Sequence, residues 1–301
     1  MGWRTVVVTQ HAKVSLNANS LLIQTDQDRY HVPVEDVEVL LIQTLQAVIT
    51  TAAISALAEV HAKIVFTGRS GQPCCEVNDY APNARTAATV IGQVTWSQEL
   101  IAKLWTRIVA SKIDMQIQVA QFNHCEVEKL CSERDKLELN DMTNREAVVA
   151  HQYFPLIFGQ DFSRSDFNVI NAALNYGYSI LLATINRAIT AKGYLTCIGI
   201  HHSNESNTYN LGSDLMEPFR PIIDLWLSQC RLTDFTPDVK IGLIDLLNVE
   251  LKFNGQKTIM RRAIVQHVSN CLNYLSGETD KIRIEVELPN EVSYHAINDH
   301  V

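Results

Sequence analysis

The sequence predicts an α+β chain: a small N-terminal β-sheet domain with one helix over residues 1–71, a linker over 72–92, and a larger all-α C-terminal domain over 93–301. Three observations predict it. Short β-branched runs bounded by Asn, Asp and Gln fill the first seventy residues. Breaker residues then cluster at Gln72-Pro73, Asn78-Asp79 and Ala81-Pro82-Asn83. From Thr95 onward apolar residues recur at helical spacing, as at Leu100, Leu104 and Ile108.

Strands are expected over 6–9, 12–16, 20–25 and 28–33, with Asn17-Ala18-Asn19 as a turn, and a buried strand over 36–42. A single sheet covered by one helix over 50–61, capped by Thr50 or Thr51, is the simplest assembly, closed by a strand over 62–66. In the second half helices are expected near 95–122, over 163–189 as a pair, and over 215–227, 241–251 and 258–275. Residues 281–288 alternate in polarity and end at Pro289, as a strand or an extended tail would.

A chain of 301 residues with 47% apolar content can bury two ordinary cores. Its longest apolar stretches, such as 178–185, fall short of the ~20 residues that cross a bilayer, and the N-terminal Val6–Val8 run reads as a strand rather than a leader. No membrane association and a cytoplasmic location are expected. The seven scattered cysteines include no CxxC pair, which suits reduced thiols. Net charge is −8, which alone argues against a nucleic-acid binder. A local patch survives within that total: Lys252, Lys257, Arg261 and Arg262 have no acid among them, and Arg164, Arg187, Lys192, Arg220 and Arg231 share the second half. Such residues can neutralise phosphates, although an ordinary solvated helix face accounts for the same run.

Three segments can carry chemistry. In the first, Glu146 shares a helical face with Ala150 and Tyr153, but Thr143 and Glu146 also spell a T-x-x-E capping box, a purely local task. The second, 199–207, sets His201 and His202 beside Ser203, Asn204 and Glu205 in a polar loop. The third, 210–221, carries Asp214 and Glu217 between apolar residues. Its prolines at 218 and 221 cannot both sit inside a regular helix, so it is a helix start or a kinked helix. Asp214, Glu217 and Asp224 lie on one side, and like charges so placed raise one another's energy unless a cation sits among them. Carboxylate oxygens with an imidazole nitrogen suit Mg²⁺ or Mn²⁺ better than structural zinc. No P-loop, GxGxxG, GxSxG or HExxH motif is present.

These same segments, in order, resemble the CRISPR-associated integrase of spacer acquisition, the Cas-one family, and its type II members in particular. Glu146-Ala147 with Ala150 and Tyr153-Phe154 resembles the family's first metal-ligand helix. Asn171-Ala172-Ala173-Leu174-Asn175-Tyr176-Gly177-Tyr178 resembles its Asn-Ala-x-Leu-Asn-Tyr-Gly-Tyr signature. His202-Ser203-Asn204, followed by Asn210-Leu211 and Asp214-Leu215-Met216-Glu217-Pro218-Phe219-Arg220-Pro221, resembles its third block. The resemblance implies Glu146, His202 and Glu217 as catalytic metal ligands for Mg²⁺ or Mn²⁺, with His201 a near neighbour. It implies a metal-dependent endonuclease and integrase that joins the 3′-hydroxyl ends of short DNA fragments into the CRISPR repeat by transesterification. It further implies a homodimer formed through the β domain, a small Cas-two partner completing a heterohexamer, and, in type II-A systems, a DNA-end-binding ring protein and the RNA-guided effector nuclease. From charge rather than from the motif, Arg220, Lys252, Lys257, Arg261 and Arg262 are the expected DNA contacts. The alternative is a non-catalytic DNA-binding scaffold of the same complex.

Overall fold

A computed structural model of the chain describes residues 2–69, 71, 73–77, 86–230 and 232–288. Several residues used above, namely Gln72, Asn78, Asp79, Ala81, Pro82, Asn83, Arg231 and Pro289, lie outside the described residues. The chain divides into two compact units, Met1–Asn83 and Ala84–Val301.

In the first unit the polar punctuation and β-branched runs give β1 (Arg4–Val8), β2 (Lys13–Asn17), β3 (Ser20–Gln24), β4 (Arg29–Pro33) and β5 (Val37–Ile42). After β6 (Val48–Ile49) comes helix α1 (Thr51–Glu59), whose first turn is capped by the Thr50 hydroxyl accepting from the amide of Ala53. Strands β7 (Lys63–Thr67) and β8 (Pro73–Val77) follow. The single sheet expected from sequence is instead two four-stranded sheets, ordered β1-β5-β7-β8 and β4-β3-β2-β6. Strand β5 runs parallel to both β1 and β7. All six of its residues are buried, as a central parallel strand covered on both faces requires. Leu40 and Ile64 from this sheet, Val14 and Leu21 from the other, and Ala53 and Leu57 of α1 form one core.

The stretch 72–92 is not the plain linker expected. It opens with β8, which pairs antiparallel with β7 and covers an edge that would otherwise be bare, and it ends in helix α2 (Ala87–Val94).

The second unit is built on α3 (Gln98–Phe122), a helix of 25 residues with both apolar and polar side chains buried along it. Around it lie α4 (Glu128–Asp135), α5 (Arg145–Phe158), α6 (Val169–Ala191), α7 (Asn210–Met216), α8 (Arg220–Ser228), α9 (Pro237–Asp245) and α10 (Met260–Leu275). The two helices expected over 163–189 are one: residues 159–168 form a loop, and α6 runs unbroken from its Asn168 cap. The unit is not all-α either. Strands β9 (Glu250–Phe253), β10 (Gln256–Ile259) and β11 (Val286–Glu287) form an antiparallel sheet in the order β10-β9-β11. Leu251 and Phe253 point inward while Glu250 and Lys252 point out, so β9 has the period-2 pattern of a half-buried strand. Among the described residues no helix is long and apolar enough to cross a membrane.

Candidate metal centre

Helix α5 does not start with the capping box that Thr143 and Glu146 spell. Asn144, in the left-handed region at φ 52°, accepts from the amide of Ala147. The Asp141 carboxylate takes the amides of Arg145 and Glu146 at 2.6 and 3.1 Å. With those donors satisfied, the Glu146 side chain is released from local capping. Its Oε1 reaches Nζ of Lys112 on α3, at 2.6 Å.

Glu217 comes to the same lysine from another direction. Pro218 and Pro221 break the helical hydrogen-bond ladder, so α7 and α8 are joined by one 3₁₀ turn over Glu217–Phe219. That kink puts Glu217 in the interior, 2% exposed. Its Oε2 lies 2.5 Å from Lys112 Nζ, and its Oε1 accepts from Arg220 at 2.8 Å. Oε2 touches the ammonium as an ion pair yet receives no well-directed hydrogen bond. Burial alone would raise the Glu217 pKa, but Arg220 and Lys112 outweigh it and hold the carboxyl below its ordinary value. Burial would likewise depress Lys112, and the charges of Glu217 and Glu146 reverse that, keeping it protonated.

The two histidines have separate tasks. His201 lies flat on the ring of buried Trp105, with centroids 4.1 Å apart and planes 6° from parallel. His202 turns the other way: its Nδ1 is 2.6 Å from Oδ1 of Asp214, leaving Nε2 as the unheld pole. Asp214 is wholly buried and also accepts from the backbone amides of Ile200, His201 and His202 at 2.7, 3.2 and 3.0 Å. Gly199 permits this closeness, because a Cβ there would stand 2.7 Å from Asp214 Oδ2. The His202 pKa is raised, first by the hydrogen bond to Asp214 against the effect of burial, then by the charges of Asp214, Glu217 and Glu146. Both glutamates therefore act on the imidazole. Trp105 and Lys112, seven residues apart on α3, share the helix face that meets this loop and the two carboxylates.

Among the described residues no three His, Cys, Asp or Glu side chains stand within metal-binding reach of one point. Glu146 and Glu217 do meet, at Lys112 Nζ, but His202 does not join them there as a third donor. The donors themselves fit a hard divalent cation. They are two carboxylates, one with an oxygen lacking a directed hydrogen bond, and an imidazole whose second nitrogen is anchored by a buried carboxylate.

Asp214 and Asp224, grouped with Glu217 in the sequence, go elsewhere. Asp224 accepts from the hydroxyl of Tyr153 at 3.2 Å and from that of Tyr178. Burial pushes its pKa up to about 6. Sequence reasoning missed Lys112 and Trp105, which sit in an apolar helical run and pass for core; the one signal was a lysine inside that run, which cannot be buried unpaired. Of the expected DNA contacts, Arg220 is at the centre, its guanidinium 4.2 Å from the middle of the Tyr178 ring. Exposed Lys252 and Lys257 face each other across the β9–β10 hairpin, and Arg262 is exposed on α10. Arg261 is buried instead, at 6% exposure, because it follows Met260 into the core-facing side of α10, where its charge acts on Asp245. It is not a surface phosphate contact.

The model of the CRISPR associated protein Cas1 family matches residues 5–262 of this chain. The chain belongs to the Cas1 family. It is 35% identical over 296 residues to the CRISPR-associated endonuclease Cas1 of Neisseria meningitidis, with 96% of each chain covered, which supports a type II-like member. A Cas1 of Saccharolobus solfataricus is 24% identical over 267 residues, covering 80% of each. Among solved structures, a casposase bound to integration product superposes with a TM-score of 0.78 at 19% identity, over 93% of this chain and 92% of that one. A Cas1 protein from Thermotoga maritima gives 0.74 at 15% identity, over 91% and 97%. At those identities the structural likeness establishes the shared fold.

Proposed function

We propose that this Cas1 family member is a metal-dependent DNA integrase and endonuclease of CRISPR adaptation. Its centre is Glu146, His202 and Glu217, and its reaction joins the 3′-hydroxyl ends of short DNA fragments to a phosphodiester by transesterification. The observation that carries this reading is the meeting of Glu146 and Glu217 at Lys112 Nζ, with His202 within the field of both. When bound there, Mg²⁺ or Mn²⁺ supplies charge neutralisation at phosphorus and alignment of the attacking hydroxyl. One P–O bond forms as another breaks, so the number of phosphodiesters is unchanged.

The protein's own groups prepare that step. Asp214 fixes the His202 ring through Nδ1 and leaves Nε2 as the nitrogen available to a metal. The Tyr178 face and the Glu217 carboxylate hold Arg220 beside the centre, where its remaining donors are set for a phosphate oxygen. Burial of Glu217 and Asp214 keeps water from loosening the geometry. DNA is the substrate in this reading. The partners are a second copy of this chain through the β-rich unit, a small Cas2 forming a heterohexamer, and, in a II-A arrangement, the ring protein and the RNA-guided nuclease. Solved structures of the same fold include a Cas6-RT-Cas1–Cas2 complex and a Cas1–DNA complex.

The test is joining of a labelled DNA duplex to a repeat-containing target, with Mn²⁺ binding measured by calorimetry on the same proteins. Glu146→Ala, His202→Ala and Glu217→Ala should each abolish joining and weaken Mn²⁺ binding while leaving the fold intact. Wild-type joining rates in all three would overturn the assignment.

A further inference from the structure

Arg164, one of the scattered basic residues of the second half, sits in the loop between α5 and α6 and has no part in the centre described above. Its guanidinium donates to Oδ1 of Asn171 and, at 2.7 Å, to Oδ1 of Asn175. It also lies over the rings of Phe154 and Tyr178, at 5.7 and 5.5 Å from their centres. All of these partners are neutral. No carboxylate forms an ion pair with Arg164 among the described residues, whereas Arg134, Arg145, Arg220 and Arg283 each have one. Burial makes its cationic form costlier than in water and the like charge of Arg220 adds to this, while Tyr178 and Asp224 act the other way.

The side chain is held stiffly. Asn171 fixes the loop from within, because its Nδ2 donates to the carbonyls of Ser163 and Asp166 while its Oδ1 receives Arg164. Such an arrangement removes rotamer freedom from a group that nevertheless stays half-exposed. A pre-ordered guanidinium with neutral acceptors on one edge and open donors on the other is built to receive an anion. Its position says which. Arg164 and Arg220 both bear on the Tyr178 ring, their guanidinium carbons within 5.5 Å of its centre, and Arg220 is in turn hydrogen-bonded to Glu217. Three residues further along the loop, Phe167 is fully exposed, an aromatic face of the kind single-stranded nucleic acid stacks on.

We propose that Arg164 is a second phosphate-binding residue of the centre, paired with Arg220 across Tyr178, and that it holds a backbone phosphate of the DNA strand next to the reacting one. Resting as it does on the reading of the centre as a DNA-joining site, it adds a residue that neither the metal ligands nor the basic run at 252–262 includes. Arg164 acts by positioning the strand and takes no part in breaking or making bonds.

The experiment measures binding of the full chain to a splayed DNA duplex with single-stranded 3′ ends, by fluorescence anisotropy in chelator, as a function of salt. Each phosphate contact adds about 0.7 to 0.9 to the slope of log K against log salt. Arg164→Gln should lower that slope by about this amount, so that between 50 and 200 mM salt the wild type loses roughly 3-fold more affinity than the variant. Arg164→Lys keeps the charge and should keep the slope, which a loop that merely misfolded would not. An unchanged slope in Arg164→Gln overturns the proposal. So does an equal loss in Arg164→Gln and Arg164→Lys, which would make the role structural. Mn²⁺ titration of the same proteins separates this from the reading beneath it: Arg164→Gln should bind Mn²⁺ as the wild type does. A wild type that binds no Mn²⁺ would count against the metal centre and leave the salt test standing.

Discussion

Replacing Lys112 with Met removes one ammonium and keeps an unbranched stem of nearly the same length, so the perturbation is electrostatic. In the native chain that ammonium is 2.6 Å from Glu146 and 2.5 Å from Glu217, and the Glu217 side chain is 2% exposed. Deleting one member of a buried ion pair costs about 3–5 kcal/mol, because the partner charge stays desolvated. Arg220 still neutralises part of Glu217, which puts the expected loss toward the lower figure. For a unit of this size 1 kcal/mol moves Tm by about 2–4 °C, so Lys112→Met should melt about 6–12 °C below the wild type in chelator. A divalent cation reverses the balance. At about 1,000 times its Kd it contributes ~4 kcal/mol of linkage stabilisation, close to what the lysine supplied. In the wild type the same cation must displace Lys112 before it reaches both carboxylates, so it gains less. Thermal or urea unfolding with EDTA and with Mn²⁺ should therefore show the gap between the two proteins closing in Mn²⁺, and calorimetry should show Lys112→Met binding Mn²⁺ more tightly. If the variant were as stable as the wild type in EDTA, or if Mn²⁺ raised both equally, Lys112 would not be standing where the cation goes.

Two further outcomes follow from the surroundings of the centre. Asp214→Asn keeps the size of the side chain but lets go of the His202 ring. Loss of such a ligand-orienting group lowers metal affinity by about 10–100-fold, and calorimetric Mn²⁺ binding within 2-fold of wild type would contradict the role given to Asp214. His267, fully buried with its Nε2 3.0 Å from the Leu215 carbonyl, has its pKa pulled down to about 4 by burial. Because that lies below the unfolded value, its neutral form favours the native state above about pH 6.5, and that stability is lost as pH falls toward 4, by about 3 kcal/mol. Asp224, pushed up to about 6, works in the opposite sense, so the readout is the difference between wild type and His267→Gln. Wild type should lose the extra stability between pH 7 and pH 4 in urea unfolding, and parallel losses in both proteins would refute it.

Much of this was legible in the sequence where one local rule decided the outcome. Thr50 caps α1 because a hydroxyl before a helical run has an amide to accept, and β5 is buried because a run apolar but for Glu38 suits a central parallel strand. The kink at Glu217 follows from two prolines alone. Other features depended on partners far away in the chain. The capping box at Thr143 gave way because Asp141 takes the amide of Glu146 and the cap moves one residue on, to Asn144. The grouping of Asp214, Glu217 and Asp224 was real along the helix but not in space, since each acid was claimed by a different neighbour: His202, Lys112 and Tyr178. Strand β9 was legible and was overlooked, because a run of cations read as a helix face hid the in–out alternation of Leu251, Lys252 and Phe253.

The charge balance at the centre explains how a chain of net charge −8 can be set to receive DNA. Glu146 and Glu217 contribute two negative charges there, and Lys112 and Arg220 two positive ones, so the cluster is close to neutral as it stands. Asp214 adds a further negative charge, which three backbone amides and His202 stabilise. On the proposed reading a divalent cation joining the two glutamates would add positive charge there, and Arg164, which forms no ion pair among the described residues, would add to it. Phosphate binding would then be favoured at the same place, and by thermodynamic reciprocity the phosphate would strengthen cation binding in turn. On the proposed reading the acidic total disfavours DNA over much of the surface, while the centre, once it holds a cation, would attract a strand.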